Sequence, residues 1–148
     1  MDLVTGGTGF VGSHVVRALL ERGRRVRCLV RPRSRRENLE GLPVEPAEGD
    51  LTDPPSLSPA LSGIETLYHV AADYRLWAAD PAEIYRANAG GTDHQLAAAA
   101  NAGVARVVYT SSVAALGLTA DGSPAVETTP VERSNISVVS ATCQPWFI

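Results

Sequence analysis

The run Thr5-Gly6-Gly7-Thr8-Gly9-Phe10-Val11-Gly12 constrains what this chain can fold into more than any other stretch. It follows a short apolar segment, Leu3 to Thr5, and opens an amphipathic one reaching from about Phe10 to Arg22, with Gly23 behind it. Glycines at a strand-to-helix junction have separate physical uses. Gly6 permits a tight turn out of the strand, Gly9 lets backbone N–H groups approach a pyrophosphate, and Gly12 lets the helix pack closely on a sheet. The helix N-terminus adds a dipole favourable to anions. A purely structural turn is the alternative, but a strand before the glycines and a helix after them is the context that the ligand-binding use requires.

The remainder alternates in the same manner, which is the pattern of an α/β domain. In the first helix, Val11, Val15, Ala18 and Leu19 fall on one face, which is predicted to be the buried one. Val26 to Arg31 reads as the second strand. An arginine-rich connection, PRSRRENLEG, leads to a third strand over Val44 to Glu48 and a turn at Gly49-Asp50-Leu51. Asp53 as N-cap with Pro54 at the first helical position predicts a short helix that Gly63 ends. The fourth strand is predicted over Glu65 to Ala71. Asp80, Pro81 and Glu83 then start a helix reaching about Ala102. Glycine inside a helix costs up to about 1 kcal/mol against alanine, so Gly90-Gly91 predicts close backbone approach to a sheet or a ligand. Ala105 to Ser111 reads as the fifth strand.

Composition removes several classes of function. The 148 residues are 45% hydrophobic, enough for one globular domain with a core. Sixteen acids against thirteen bases give a net charge of −3, with no basic field to hold nucleic acid. All thirteen bases are arginine, so no mechanism can use a lysine of these residues. No apolar run approaches the roughly 20 residues of a membrane span, and the start lacks the basic flank of a signal peptide, so a cytoplasmic protein is expected. Cys28 and Cys143 form neither a CxxC pair nor a disulfide framework. His14, His69 and His94 lie in separate elements without the spacing of a zinc site. Tyr74 and Trp77 are candidates for a substrate mouth or for plain packing.

The glycine spacing is GxxGxxG, and four more stretches follow in order: GDLTD at Gly49 to Asp53, HVAA at His69 to Ala72, NAGGT at Asn88 to Thr92, and YTSSVAALG at Tyr109 to Gly117. Together they resemble the extended and atypical short-chain dehydrogenase/reductase superfamily, the NAD(P)-dependent epimerase/dehydratase and dihydroflavonol-reductase-like proteins. The VRPxS run at Val30 to Ser34 looks most like the hopanoid-associated sugar epimerase branch. The resemblance covers about residues 1 to 131. It implies a Rossmann-type doubly wound parallel sheet of order 3-2-1-4-5, truncated after about five strands, with a ligand crevice at the carboxyl ends of the first and fourth.

The resemblance also implies a cofactor site. Gly6, Gly9, Phe10, Val11 and Gly12 would hold the pyrophosphate, Asp50 and Leu51 the adenine, and Ala71, Ala72, Asn88 and Ser111 the remaining cofactor side. From the residues alone, Asp50 reads equally as a turn acid, the alanines as small packing residues, and Asn88 as a helix residue bonding a loop. Arg31 ends the second strand where NAD-preferring relatives carry an acid. A guanidinium there binds a 2′-phosphate, with Arg33, Arg35 and Arg36 adding to the field, so NADP(H) is expected over NAD(H); a solvated basic loop is the alternative.

Ser112 matches the family's catalytic serine, whose partners are a tyrosine and a lysine spaced Tyr-x-x-x-Lys. No tyrosine follows Tyr109, and from Ser134 to Ile148 no residue is charged although residues 1–133 hold all 29 charges. The expected organisation is therefore a dinucleotide-binding domain over 1–133 and an atypical tail over 134–148, from a frameshift or premature end near 131 to 134 or from real divergence. The implied activity is an NADP-dependent oxidoreductase or epimerase acting on a sugar, nucleotide sugar or small carbonyl. A non-catalytic NADP(H)-binding or regulatory module and a nonfunctional fragment are the alternatives. A homodimer is the family default.

Overall fold

The computed structural model describes residues 1–75, 77–112, 116, 119 and 121–130. Five parallel strands form one sheet: β1 (Asp2–Thr5), β2 (Val26–Val30), β3 (Val44–Glu48), β4 (Thr66–His69) and β5 (Arg106–Tyr109), in the order β3-β2-β1-β4-β5. The predicted strand order is the observed one. Register aligns Thr5 with Leu29 on one side and with His69 on the other, so the carboxyl ends of the central strands are level.

All four residues of β1 are buried, as a central parallel strand covered on both faces requires. Leu3 and Leu67 point to one face, where they meet Leu57, Ala60 and Leu61 of α2 (Leu57–Leu61) and Ala99 of α4 (Gly91–Asn101). Val4 and Cys28 point to the other and meet Val16 and Leu19 of α1 (Phe10–Glu21). Each fully buried leucine or valine contributes about 1.5–3 kcal/mol of transfer free energy, so these two layers dominate the stability. Pro46 sits in β3, an edge strand that pairs only with β2, where its missing N–H is tolerated. β5 is the other edge, and Val107 and Val108 there are 44% and 47% exposed.

At the amino ends of the strands Asp2 is fully buried, and its carboxylate takes two hydrogen bonds from Arg24, at 2.8 and 2.7 Å. Arg24 also reaches Glu65 at 3.0 Å, and Glu65 reaches Arg106 at 2.9 Å. The hydrogen bond from Arg24 holds the Glu65 carboxyl below its ordinary range, and the bonds to Asp2 first and Glu65 second push the Arg24 guanidinium further up. A buried carboxylate at Asp2 is sustainable because this partner is present.

Several expectations shift in detail. The buried face of α1 is Gly12, Ser13, Val16 and Leu19, whereas Val11 is 53% exposed and Val15 and Ala18 are only partly covered. The helix is rotated because Gly12, not Val11, must face the glycine turn. Asp53 does not cap with its side chain, and Pro54–Ser56 form a 3-10 turn before α2. The long helix predicted from Pro81 is broken into α3 (Pro81–Tyr85), a π-turn at Arg86–Gly90, and α4. Asp80 does cap α3, its side chain accepting from the Ala82 N–H. β4 ends at His69 because the N–H groups of Val70 and Ala71 turn to the Thr5 hydroxyl instead of a neighbouring strand. The tail over 134–148, Cys143, and Val113 to Ala115 and Gly117 of the serine motif lie outside the described residues.

Candidate dinucleotide site

The first turn after β1 is built around Gly6, whose φ of +69° lies in the left-handed region that side-chain-bearing residues avoid. Its Cβ, were there one, would stand 2.8 Å from both N and Cα of Ala71, so the Gly6 turn and the end of β4 are in backbone contact. A Cβ at Gly12 would overlap the Gly6 carbonyl oxygen and come 2.6 Å from its carbon. Only glycine lets α1 begin this close to the turn. No side chain caps α1 at Gly9 and no acid occupies its first turn, so the positive end of the helix is left to whatever lies in front of it. Phe10 is well exposed beside this opening, with its ring 4.8 Å from that of His14.

Opposite the glycines, Ala71 and Ala72 leave the end of β4 without bulk. The chain then turns at Asp73, which Asn88 holds from the π-turn: Asn88 Oδ1 accepts the Asp73 N–H at 2.6 Å and Nδ2 donates to its carbonyl at 2.8 Å. Asn88 therefore ties a neighbouring loop to the helix. Arg75, 2.6 Å from Asp73, lowers the Asp73 carboxyl below its usual range, and the charge of Arg31 adds to the effect. Arg31 thus lies within electrostatic reach of the loop across the crevice from it.

Asp50 accepts from the N–H and hydroxyl of Thr52, at 2.9 and 2.8 Å through Oδ1, and so closes a local turn. Its neighbour Leu51 packs on α4, where a Cβ at Gly91 would meet Leu51 Cβ at 2.8 Å, and the Leu51 carbonyl accepts from His94 Nδ1 at 2.9 Å. Of the predicted glycine pair, Gly91 is the one in close approach, and it approaches a side chain; Gly90 faces open space.

The arginine loop is anchored by a residue that the sequence did not single out. Asn38 Nδ2 donates to the Thr8 carbonyl at 2.8 Å, and Arg17 donates to the Asn38 carbonyl at 3.0 Å. The loop after β2 therefore leans on the corner of the glycine turn, and its Arg31, Arg33 and Arg35 are exposed. Arg36 is drawn away to Glu48 at 2.8 Å. Beyond β5, Ser111 and Ser112 are exposed at the same carboxyl edge. Among the described residues, no group of three or more His, Cys, Asp or Glu could hold a metal ion, and no helix is long and apolar enough to cross a membrane.

An uncapped helix start, a glycine turn against the end of β4, and five level parallel strands are a dinucleotide crevice at a topological switch point. The family model described as the NAD dependent epimerase/dehydratase family matches residues 3–137. The chain belongs to that family. It is 52% identical over 132 residues to a putative dihydroflavonol 4-reductase of Synechocystis sp., covering 88% of this chain and 38% of the relative. The crystal structure of gox2253 superposes with a TM-score of 0.90 at 55% identity, over 96% of this chain and 43% of the other. DesIV, a dTDP-glucose 4,6-dehydratase of Streptomyces venezuelae solved with NAD bound, gives a TM-score of 0.82 at 31% identity, over 96% of this chain and 48% of the other. The chain spans less than half the length of these proteins.

Proposed function

We propose that these residues form the cofactor-binding part of an NADP(H)-dependent oxidoreductase or epimerase whose substrate is a sugar, a nucleotide sugar or a small carbonyl compound. The observation that carries the reading is the contact between the Gly6 turn and Ala71 in front of an uncapped α1, a cradle that any side chain at Gly6 or Gly12 would fill. In this reading Gly6, Gly9, Phe10, Val11 and Gly12 hold the pyrophosphate. Asp50 and Leu51 border the adenine, and Ala71, Ala72, Asn88 and Ser111 border the rest of the cofactor. The preference for NADP(H) rests on Arg31, which offers a 2′-phosphate charge-assisted hydrogen bonds, and on the anchoring of its loop through Asn38 to Thr8.

The cofactor supplies the hydride donor or acceptor. Ser112 donates a hydrogen bond to the reacting oxygen of the substrate. It is the one member of the family's serine, tyrosine and lysine set found in these 148 residues, which contain no lysine and no tyrosine after Tyr109. For these residues taken by themselves, a second reading is an NADP(H)-binding module without catalysis. Fluorescence titration of the purified chain with NADPH and with NADH tests the proposal, with NADPH expected to bind about tenfold tighter, a difference of ~1.4 kcal/mol. Equal affinities remove the NADP(H) preference, and no binding of either removes the cofactor reading. NADPH oxidation in the presence of a carbonyl substrate removes the second reading.

A further inference from the structure

His69 is 1% exposed and has no part in the chemistry above, yet three elements besides its own strand meet on it. Its Nδ1 lies 3.1 Å from Thr5 Oγ1 at the end of β1, and its Nε2 lies 3.1 Å from Thr92 Oγ1 on α4. The ring stacks on Tyr109 of β5, with centroids 5.5 Å apart and planes 10° from parallel. Its carbonyl accepts the Thr110 N–H at 3.0 Å, so the same residue steadies the strand that leads to Ser111 and Ser112.

Donor and acceptor counting fixes the tautomer. Thr5 Oγ1 accepts from the Val70 N–H at 3.1 Å and the Ala71 N–H at 3.2 Å, which occupies both of its lone pairs. The single hydroxyl proton of Thr5 is therefore directed at His69, Nδ1 is the acceptor, and the ring proton sits on Nε2 and is donated to Thr92. A proton on Nδ1 would bring three donors to one hydroxyl oxygen and leave the Thr5 proton without an acceptor.

We propose that His69 is a positioning residue for the dinucleotide: as the Nε2-protonated tautomer it orients the Thr5 hydroxyl to hold the Val70 and Ala71 amides, and so sets how closely Ala71 stands to the Gly6 turn. The spacing at that contact leaves no slack, since Ala71 N and Cα stand 2.8 Å from the Cβ position of Gly6. A displaced β4 end would move one wall of the cradle against the other. The proposal rests on the dinucleotide reading of the crevice.

The experiment is calorimetric titration of the folded chain and its variants with NADPH and NADH, beside long-range 15N NMR of the imidazole in the ligand-free protein. His69→Asn retains an acceptor on the Nδ1 side, whereas His69→Leu fills the space and accepts nothing. The expected result is an Nε2–H tautomer, His69→Asn within about threefold of the parent, and His69→Leu weaker by about tenfold, the scale of one lost hydrogen bond. Thr5→Val removes the same hydroxyl without touching the ring, so it should weaken binding equally, and adding it to His69→Leu should cost little more. If His69→Leu does not fold, Thr5→Val carries the comparison. Parent-like affinity in His69→Leu, or in Thr5→Val where that variant carries the comparison, or an Nδ1–H tautomer, overturns the proposal alone. A parent chain that binds neither nucleotide overturns the cofactor reading and the proposal with it.

Discussion

Asn88 grips the backbone of Asp73 as a strand would, accepting from its N–H at 2.6 Å and donating to its carbonyl at 2.8 Å. The π-turn at Arg86–Gly90 places this buried amide at the loop between β4 and α3. Asn88→Ala removes both bonds and is expected to lower unfolding stability by about 2 kcal/mol, near 1 kcal/mol for each net hydrogen bond. Urea unfolding measures the loss, and amide exchange at Asp73 should quicken. An unchanged midpoint would show that the loop is held by other contacts.

Arg31 stands at the end of β2, across from Asp73. Arg31→Asp replaces a donor for a phosphate with a repelling charge, so the dissociation constant for NADPH should rise at least about tenfold while that for NADH changes little. Parallel titrations of both nucleotides decide it. A uniform loss for both would mean that Arg31 shapes the loop instead of reading the ribose.

A methyl group at Gly12 has nowhere to go, because the Gly6 carbonyl and the Gly7 Cα, the latter 3.0 Å away, already occupy the space. Gly12→Ala should cost about 2–3 kcal/mol of stability through overpacking. Thermal unfolding and NADPH titration of the same sample should show both losses together. A variant as stable as the parent would place α1 farther from the turn than described.

Burial lowers the folded His69 pKa from 6.5 to about 4. Above pH 6.5 the ring is neutral in both the folded and unfolded chain, and its full contribution is present. As the pH falls from 6.5 to about 4 the unfolded chain takes up a proton that the native site refuses, so stability drops by about 3 kcal/mol and then levels off. Denaturation midpoints at pH 7, 5.5 and 4 should show this loss in the parent and a smaller one in His69→Asn. Equal slopes would assign the acid sensitivity to other groups.

The strand order and the glycine turn were legible in the sequence because apolar runs and glycine spacing are local signals. Asp50 and Asn88 were legible only as pairs of alternatives. The structure finds Asp50 bonded to Thr52 and Asn88 bonded to Asp73, local contacts that neither supply nor exclude a cofactor role. The rotation of α1 was misjudged from Val11 because hydrophobic periodicity says nothing of the close approach that Gly12 requires. Asn38 is not singled out by the sequence, and Thr5, His69 and Thr92 stand in its motifs without any sign that they bond to one another. Their bonds join residues 30, 64 and 23 positions apart, and they exist only once register and helix docking are set. One faint signal was available: a histidine at an inward position of β4, in line with Leu67, needs polar company in an apolar layer.

The sheet is fastened differently at its two ends. At the amino ends Asp2, Arg24, Glu65 and Arg106 lace the starts of β1, β2, β4 and β5 through charges that, apart from the buried Asp2, are partly open to solvent, and at the carboxyl ends hydroxyls and an imidazole do the work in the dry interior. Added salt therefore loosens one hem and leaves the other, while mild acid does the reverse, so the ligand end of this domain can be weakened without unpicking the end that holds its strands in line.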